Sequence, residues 1–237
     1  MIKINMYHVT GYAFCQSQVY SCKDTFKSIT YEFVGGNIYA LISDFGRGSW
    51  GLATCLGGTG EIIDGDILLN DQKISPVHLA KVSCFLGKTD FNELEFLKES
   101  ESAKNCIQEA LTISELPYSV TDIKHMFGLS NERFERDIKY VSGEIWRITA
   151  AIGFALDKQI FIYPWMNTHD ALSIDPEIAD VLRENKKIVL FPGCRALLKS
   201  PLTKKFDNII NFHRFDKPYF NIPSDDLKKY KKMRKWW

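Results

Sequence analysis

Thr30-Tyr31-Glu32-Phe33-Val34-Gly35-Gly36-Asn37-Ile38-Tyr39-Ala40-Leu41-Ile42-Ser43-Asp44-Phe45-Gly46-Arg47-Gly48-Ser49-Trp50-Gly51-Leu52-Ala53-Thr54-Cys55-Leu56 is the stretch whose reading decides the fold. Residues 30–34 read as a strand, Gly35-Gly36 as a turn and residues 38–42 as a buried strand, because a short apolar run is bounded by glycine punctuation. Residues 43–49 form a glycine-bearing loop, and residues 50–56 open a helix. A strand that runs through a glycine loop into a helix N-terminus is an arrangement that cradles phosphates. Free backbone N–H groups and the positive end of the helix dipole converge there.

The usual phosphate-loop pattern, G-x-x-x-x-G-K-[ST], adds a lysine that neutralises phosphate charge and a hydroxyl that holds magnesium. In that frame the first glycine is Ser43, the second is Gly48, the lysine is Ser49 and the hydroxyl is Trp50, so three of the four diagnostic positions depart from the pattern. The local geometry of a phosphate site is suggested without its chemistry, and a plain strand-to-helix turn is the alternative. The candidate binding residues are Gly46, Arg47, Gly48, Ser49, Trp50 and Gly51.

The surroundings say more than the loop. Residues 29–74 resemble the start of the nucleotide-binding domain of an ABC-transporter ATP-binding subunit. In that family a strand and an "xGxIYxLIGxxGxGK" segment lead into the first helix, and a "GxIxxxGxxI" hairpin follows. The hairpin here is Asp64-Gly65-Asp66-Ile67-Leu68-Leu69-Asn70-Asp71-Gln72-Lys73-Ile74, at the spacing the family uses. The resemblance implies an α/β, P-loop NTPase-like ABC ATPase domain with a mixed β-sheet core and a helical subdomain.

Length and composition agree with such a domain. A chain of 237 residues, 45% hydrophobic and 25% charged, can bury one substantial core or a core plus a smaller subdomain. Residues 224–237 carry six Lys/Arg against two Asp, a net +4, which leaves residues 1–223 at −3 within the whole-chain +1. The body is therefore not a nucleic-acid surface by charge. Six cysteines show no C-x-x-C pair and read as reduced packing residues rather than a disulfide framework or a metal site. The start, Met1-Ile2-Lys3-Ile4-Asn5, lacks a charged-then-apolar leader, and residues 145–165 are interrupted by Arg147, Asp157 and Lys158, so no run of about 18 apolar residues spans a bilayer.

Taken in order, residues 2–12 read as a short alternating strand that ends at Gly11. The family places an adenine-stacking aromatic here, and Tyr12 is the nearest candidate beside a plain buried tyrosine. Residues 81–86 read as a core strand; the family's magnesium-sensing glutamine follows it, and here that region is Gly87-Lys88. Residues 90–140 turn helical, with Phe91, Leu94, Leu97, Ile107, Ala110 and Leu111 at three- and four-residue spacing. A short helix over 120–127 ends at Gly128, and Ser130 caps a helix over 131–136. This insert corresponds to the helical subdomain that touches the transmembrane partner.

Tyr140-Val141-Ser142-Gly143-Glu144 stands where the family has its LSGGQ signature, with Gly143 at the second glycine, Glu144 for glutamine and Arg147 at the following arginine. Backbone amides at Ser142, Gly143 and Glu144 are candidates to face an anion at a helix start, against a simple helix cap. Residues 159–163 are a buried strand that in active family members ends in Asp-Glu-Pro; here Pro164 and Trp165 fill the carboxylate positions and can neither hold a cation nor accept a proton. His169 and Asp170, in the loop after it, are the nearest remaining base and acid. Residues 176–185 read as a helix and 187–191 as the last core strand, after which the family's switch histidine is replaced by Pro192-Gly193-Cys194. Residues 207–210 are similar to a strand near the family's end.

The expected division is residues 1–88 and 141–223 for the two parts of the α/β core, 89–140 for the helical subdomain and 224–237 for a basic tail that could lie near anionic lipid. The resemblance and its departures together imply a pseudo-ATPase with no catalytic residue of its own and no metal ligands, with ATP binding weak or absent and magnesium in doubt. It would be cytoplasmic, peripheral at the inner face of the cell membrane, and partnered by a membrane permease subunit and a sister ATPase in a homo- or heterodimer. A divergent ATPase completed in trans, and an interaction protein with no permease, are the alternatives.

Overall fold

The structure is a computed structural model, and the residues it describes are 1–16, 21–88, 101–141, 143–167 and 176–212. Two sheets pack around a central helix. Strands β1 (Lys3–Gln16), β2 (Ser21–Val34), β4 (Glu61–Leu69) and β5 (Gln72–Lys73) form an antiparallel sheet in the order β2-β1-β4-β5. Strands β3 (Asn37–Ile42), β6 (Ser83–Phe85), β7 (Ile160–Ile162), β8 (Ile188–Gly193) and β9 (Asn208–Asn211) form the second sheet, ordered β6-β7-β8-β3-β9, and every pairing in it is parallel. Helix α1 (Ser49–Leu56) lies between them with all eight residues buried.

The parallel strands are apolar on both faces, as a doubly covered sheet requires. Ile160, Phe161, Ile162, Val189, Leu190 and Phe191 are all fully buried. One face meets α1 and the antiparallel sheet through Leu41, Leu52, Leu56 and Phe33. The other meets α6 (Ile145–Ala155) and α7 (Glu177–Glu184), with Ile148, Ile152, Ile178 and Leu182 in one continuous cluster. Helices α3 (Ala103–Ser114), α4 (Val120–Met126) and α5 (Asn131–Phe134) add a layer outside α6. Each begins on a serine, Ser102, Ser119 or Ser130, whose hydroxyl accepts a backbone N–H of the first turn. At α4 the Asp122 carboxylate also accepts the Ser119 N–H at 2.8 Å, completing a capping box.

Boundaries differ from the sequence expectation: the strand expected over 30–34 begins already at Ser21. Strand β1 does not end at Gly11 but runs on to Gln16. A Cβ at Gly11 would stand 2.7 Å from the Glu61 carbonyl, so this glycine permits close approach of β4 rather than ending the strand. Lys81 and Val82 belong to helix α2 (Pro76–Val82), because Ser75 caps it and Pro76 occupies its first position; the core strand shrinks to Ser83–Phe85. Phe91, Leu94 and Leu97 lie outside the described residues, as do His169, Asp170 and the basic tail.

Phe191 is the packing centre of the parallel sheet, fully buried and stacked on Tyr163 with ring centroids 3.9 Å apart. Phe191→Ala should lower unfolding free energy by about 3–5 kcal/mol in denaturant titrations, whereas Phe191→Leu should cost less than about 1.5 kcal/mol.

Candidate functional site

The glycine loop between β3 and α1 is held from three sides. Ser43, at its start, donates its N–H to the Gly193 carbonyl at the end of β8. Its hydroxyl accepts the Ser49 N–H at 3.2 Å and donates to the Ser49 hydroxyl at 2.6 Å. Both serines are fully buried. The position where a lysine would reach out to phosphate is therefore a short hydroxyl turned inward onto its own loop. Gly46 and Gly48 adopt φ of 78° and 109°, the left-handed backbone that lets successive N–H groups point to one side.

What those amides bind is a carboxylate from the same chain. Asp24 of β2, 1% exposed, accepts the Gly48 N–H on Oδ1 and the Trp50 N–H on Oδ2 at 3.2 Å; the Gly51 N–H adds a third donor. The close fit depends on Gly51, where a Cβ would stand 2.4 Å from the Asp24 carbonyl oxygen. Burial pushes the Asp24 carboxyl up to about 7, against the opposing pull of the three N–H donors.

Aromatic rings occupy the space beside this nest. Trp50, 4% exposed, packs against Ala13 and tilts over Phe85 at 6.1 Å between centroids. Phe45 of the loop meets Trp165 edge-on at 5.4 Å. The indole Nε1 of Trp165 is buried without a hydrogen-bond partner among the described residues.

Tyr12 is 6% exposed, and the Lys23 ammonium sits 3.7 Å above its ring. Lys23 is the diagonal neighbour of Tyr12 across the hairpin, since Tyr12 pairs with Thr25. Asp24, paired with Ala13, points to the opposite face, toward Trp50.

Ser142 lies outside the described residues. Gly143 is in an exposed turn, and Glu144 precedes α6 without capping it; its carboxylate accepts the Ser130 N–H at 3.2 Å and so tethers the start of α5. Arg147 donates to the Phe127 carbonyl at 3.0 Å and to Glu177 at 2.8 Å, joining α4, α6 and α7. Gly87, where the family's sensing glutamine would be, donates to the Thr149 hydroxyl at 2.9 Å. The structure thus gathers Gly46, Gly48, Ser49, Trp50 and Gly51 around the nest, with Arg47 in the loop. Gly143 and Glu144 serve a helix junction.

Asp24 and Lys23 were not legible as site residues. The available signal was Gly51: glycine in the first turn of a helix is unfavourable by about 1 kcal/mol against alanine and marks a close backbone approach.

No protein-family model and no curated protein matches the sequence. Solved structures do match. A protein assigned as an ABC transporter ATP-binding protein from Pyrococcus furiosus superposes with a TM-score of 0.61 at 13% identity, over 91% of this chain and 100% of that one. CbiO1 from Clostridium perfringens, part of the ABC transporter complex CbiONQ, gives 0.60 at 13% identity over 98% of this chain and 93% of its own. A bacterial Atm1-family ABC exporter with ATP bound gives 0.56 at 13% identity, over 98% of this chain and 41% of the exporter. The chain therefore has the α/β P-loop fold of ABC-transporter ATP-binding proteins.

The buried carboxyl makes stability depend on pH with a definite sign. A folded-state value near 7, above the ordinary 3.8, means that Asp24 contributes fully below about pH 4 and loses its contribution as pH rises through 7. Between those limits its share should fall by about 1.4 kcal/mol per pH unit, roughly 4 kcal/mol in all. Denaturation midpoints measured across this window should show that fall in the parent chain, and Asp24→Asn, whatever its absolute stability, should lack it.

Proposed function

We propose that this protein is a pseudo-ATPase: an ABC-type nucleotide-binding domain that serves as a structural or regulatory subunit, working through its surfaces rather than through ATP turnover. The carrying observation is the Asp24 carboxylate seated on the amides of Gly48 and Trp50, where a phosphate group would otherwise be received. The side chains around it support the same reading. Ser49 replaces a cation worth about 1.5–3 kcal/mol per charge-assisted hydrogen bond, or one to two decades of affinity each. Pro164 and Trp165 stand where magnesium and the attacking water would need carboxylates.

On this reading the chain docks on a membrane permease, a sister ATPase, or both, at the inner face of the membrane. Two of its structural neighbours come from transporter assemblies, the CbiONQ complex and an exporter. Among the described residues no helix is long and apolar enough to cross a membrane, so attachment would be through a partner. Residues 89–140, the proposed helical subdomain, are the candidate contact, because α3, α4 and α5 form an outer layer over α6.

Two measurements test this function. The purified chain should release phosphate from magnesium-ATP no faster than the uncatalysed background, and Ser49→Ala should change nothing; magnesium-dependent turnover lost in Ser49→Ala would overturn the pseudo-ATPase assignment. In fractionated cells the chain should sediment with membranes and be released by alkaline carbonate. Recovery wholly in the untreated supernatant would contradict docking on a permease.

A further inference from the structure

We propose that Asp24 is a tethered ligand of the glycine loop, an autoinhibitory contact that occupies the oxyanion position and keeps free phosphate groups out. This deepens the pseudo-ATPase reading and rests on it, but the contact is a separate feature. Lost catalytic side chains remove turnover while leaving an open amide nest; here the nest is filled.

Three observations make the contact a built one. The carboxylate is 1% exposed and bonded to the Gly48 and Trp50 amides through different oxygens, as two oxygens of one phosphate group would be. Helix α1 carries glycine at position 51, where any side chain would meet the Asp24 carbonyl oxygen at 2.4 Å. A Cβ at Gly48 would stand 3.1 Å from the Thr25 carbonyl oxygen, so Asp24 and Thr25, successive residues of strand β2, both press on the loop. Loop and strand are fitted to each other, and the strand supplies the negative charge that the helix N-terminus and the convergent amides favour.

A tethered anion competes with any free one at a high effective concentration. The loop is consequently held in the shape of an occupied site by the chain's own carboxylate. The neighbouring residue of the same strand acts in the same direction at Tyr12, whose ring already carries the Lys23 ammonium at 3.7 Å.

The test uses the full chain at about pH 8, where the carboxyl is ionised, with inorganic pyrophosphate as the probe. By isothermal titration, the parent chain should show no saturable binding into the millimolar range. Asp24→Ala, which empties the nest, should bind pyrophosphate at least about tenfold more tightly, and Gly51→Ser, which pushes β2 off the loop, should gain binding in the same direction. If Asp24→Ala is too unstable for titration, its melting temperature should rise with added formate or pyrophosphate, as mass action requires of a ligand that fills a vacated site, while the parent's stays fixed. In the parent chain, the Gly48 and Trp50 amide resonances should be unmoved by pyrophosphate. Parent binding as tight as that of Asp24→Ala, movement of those resonances, or a folded Asp24→Ala with neither binding nor a thermal shift would each overturn the proposal. ATP turnover by the parent would instead overturn the pseudo-ATPase reading, so the two failures are distinct.

Discussion

A carboxylate on the amides of a helix N-terminus joins the two halves of this molecule. Asp24 belongs to the antiparallel sheet, while Gly48, Trp50 and Gly51 belong to the loop and helix that follow β3 of the parallel sheet. A carboxyl group cannot be left buried without such partners. The contact therefore fixes how closely β2 approaches α1, and through α1 how the sheets face each other. Around it the apolar residues of β3, β7 and β8 close a continuous core.

The fold is one in which a phosphate loop ordinarily has a functional reason to be strained. Here the loop keeps that geometry around a carboxylate of its own chain. Left-handed glycines remain at 46 and 48, yet the side chains beside them are a buried serine pair and packed indoles. Trp50 is buried beside Ala13, and the partly buried Phe45, Phe85 and Trp165 pack against that pair. Function, on this account, has moved to the outside of the domain.

Much of the architecture was legible because its signals are local. Aliphatic runs at 38–42 and 188–191, glycine at the loop, and the serine before α5 each act within a few residues. Boundaries failed where a distant element decided them: Gly11 reads as a stop until β4 is seen to lie against it, and Ser75-Pro76 converts the start of an apparent strand into a helix. The loop residues at the site were likewise legible, since their spacing is their signal. Its occupant was not. Asp24 precedes the loop by two dozen positions and reaches it only through the register of β1 with β2, which sets Ala13 opposite Asp24 and turns that carboxylate toward Trp50. The signature-like segment was legible by position, while the contact its glutamate makes was not. Gly143 and Glu144 match by position, but the Glu144 carboxylate is committed to the Ser130 amide.

The most direct test of a domain kept for its surfaces is equilibrium binding of a fluorescent ATP analogue, with magnesium, to the unmodified chain. The account predicts no saturable signal up to millimolar nucleotide, because the amides that would receive its phosphates already hold Asp24. Saturable, magnesium-dependent binding that unlabelled ATP displaces would contradict it and return the loop to the class of working nucleotide sites.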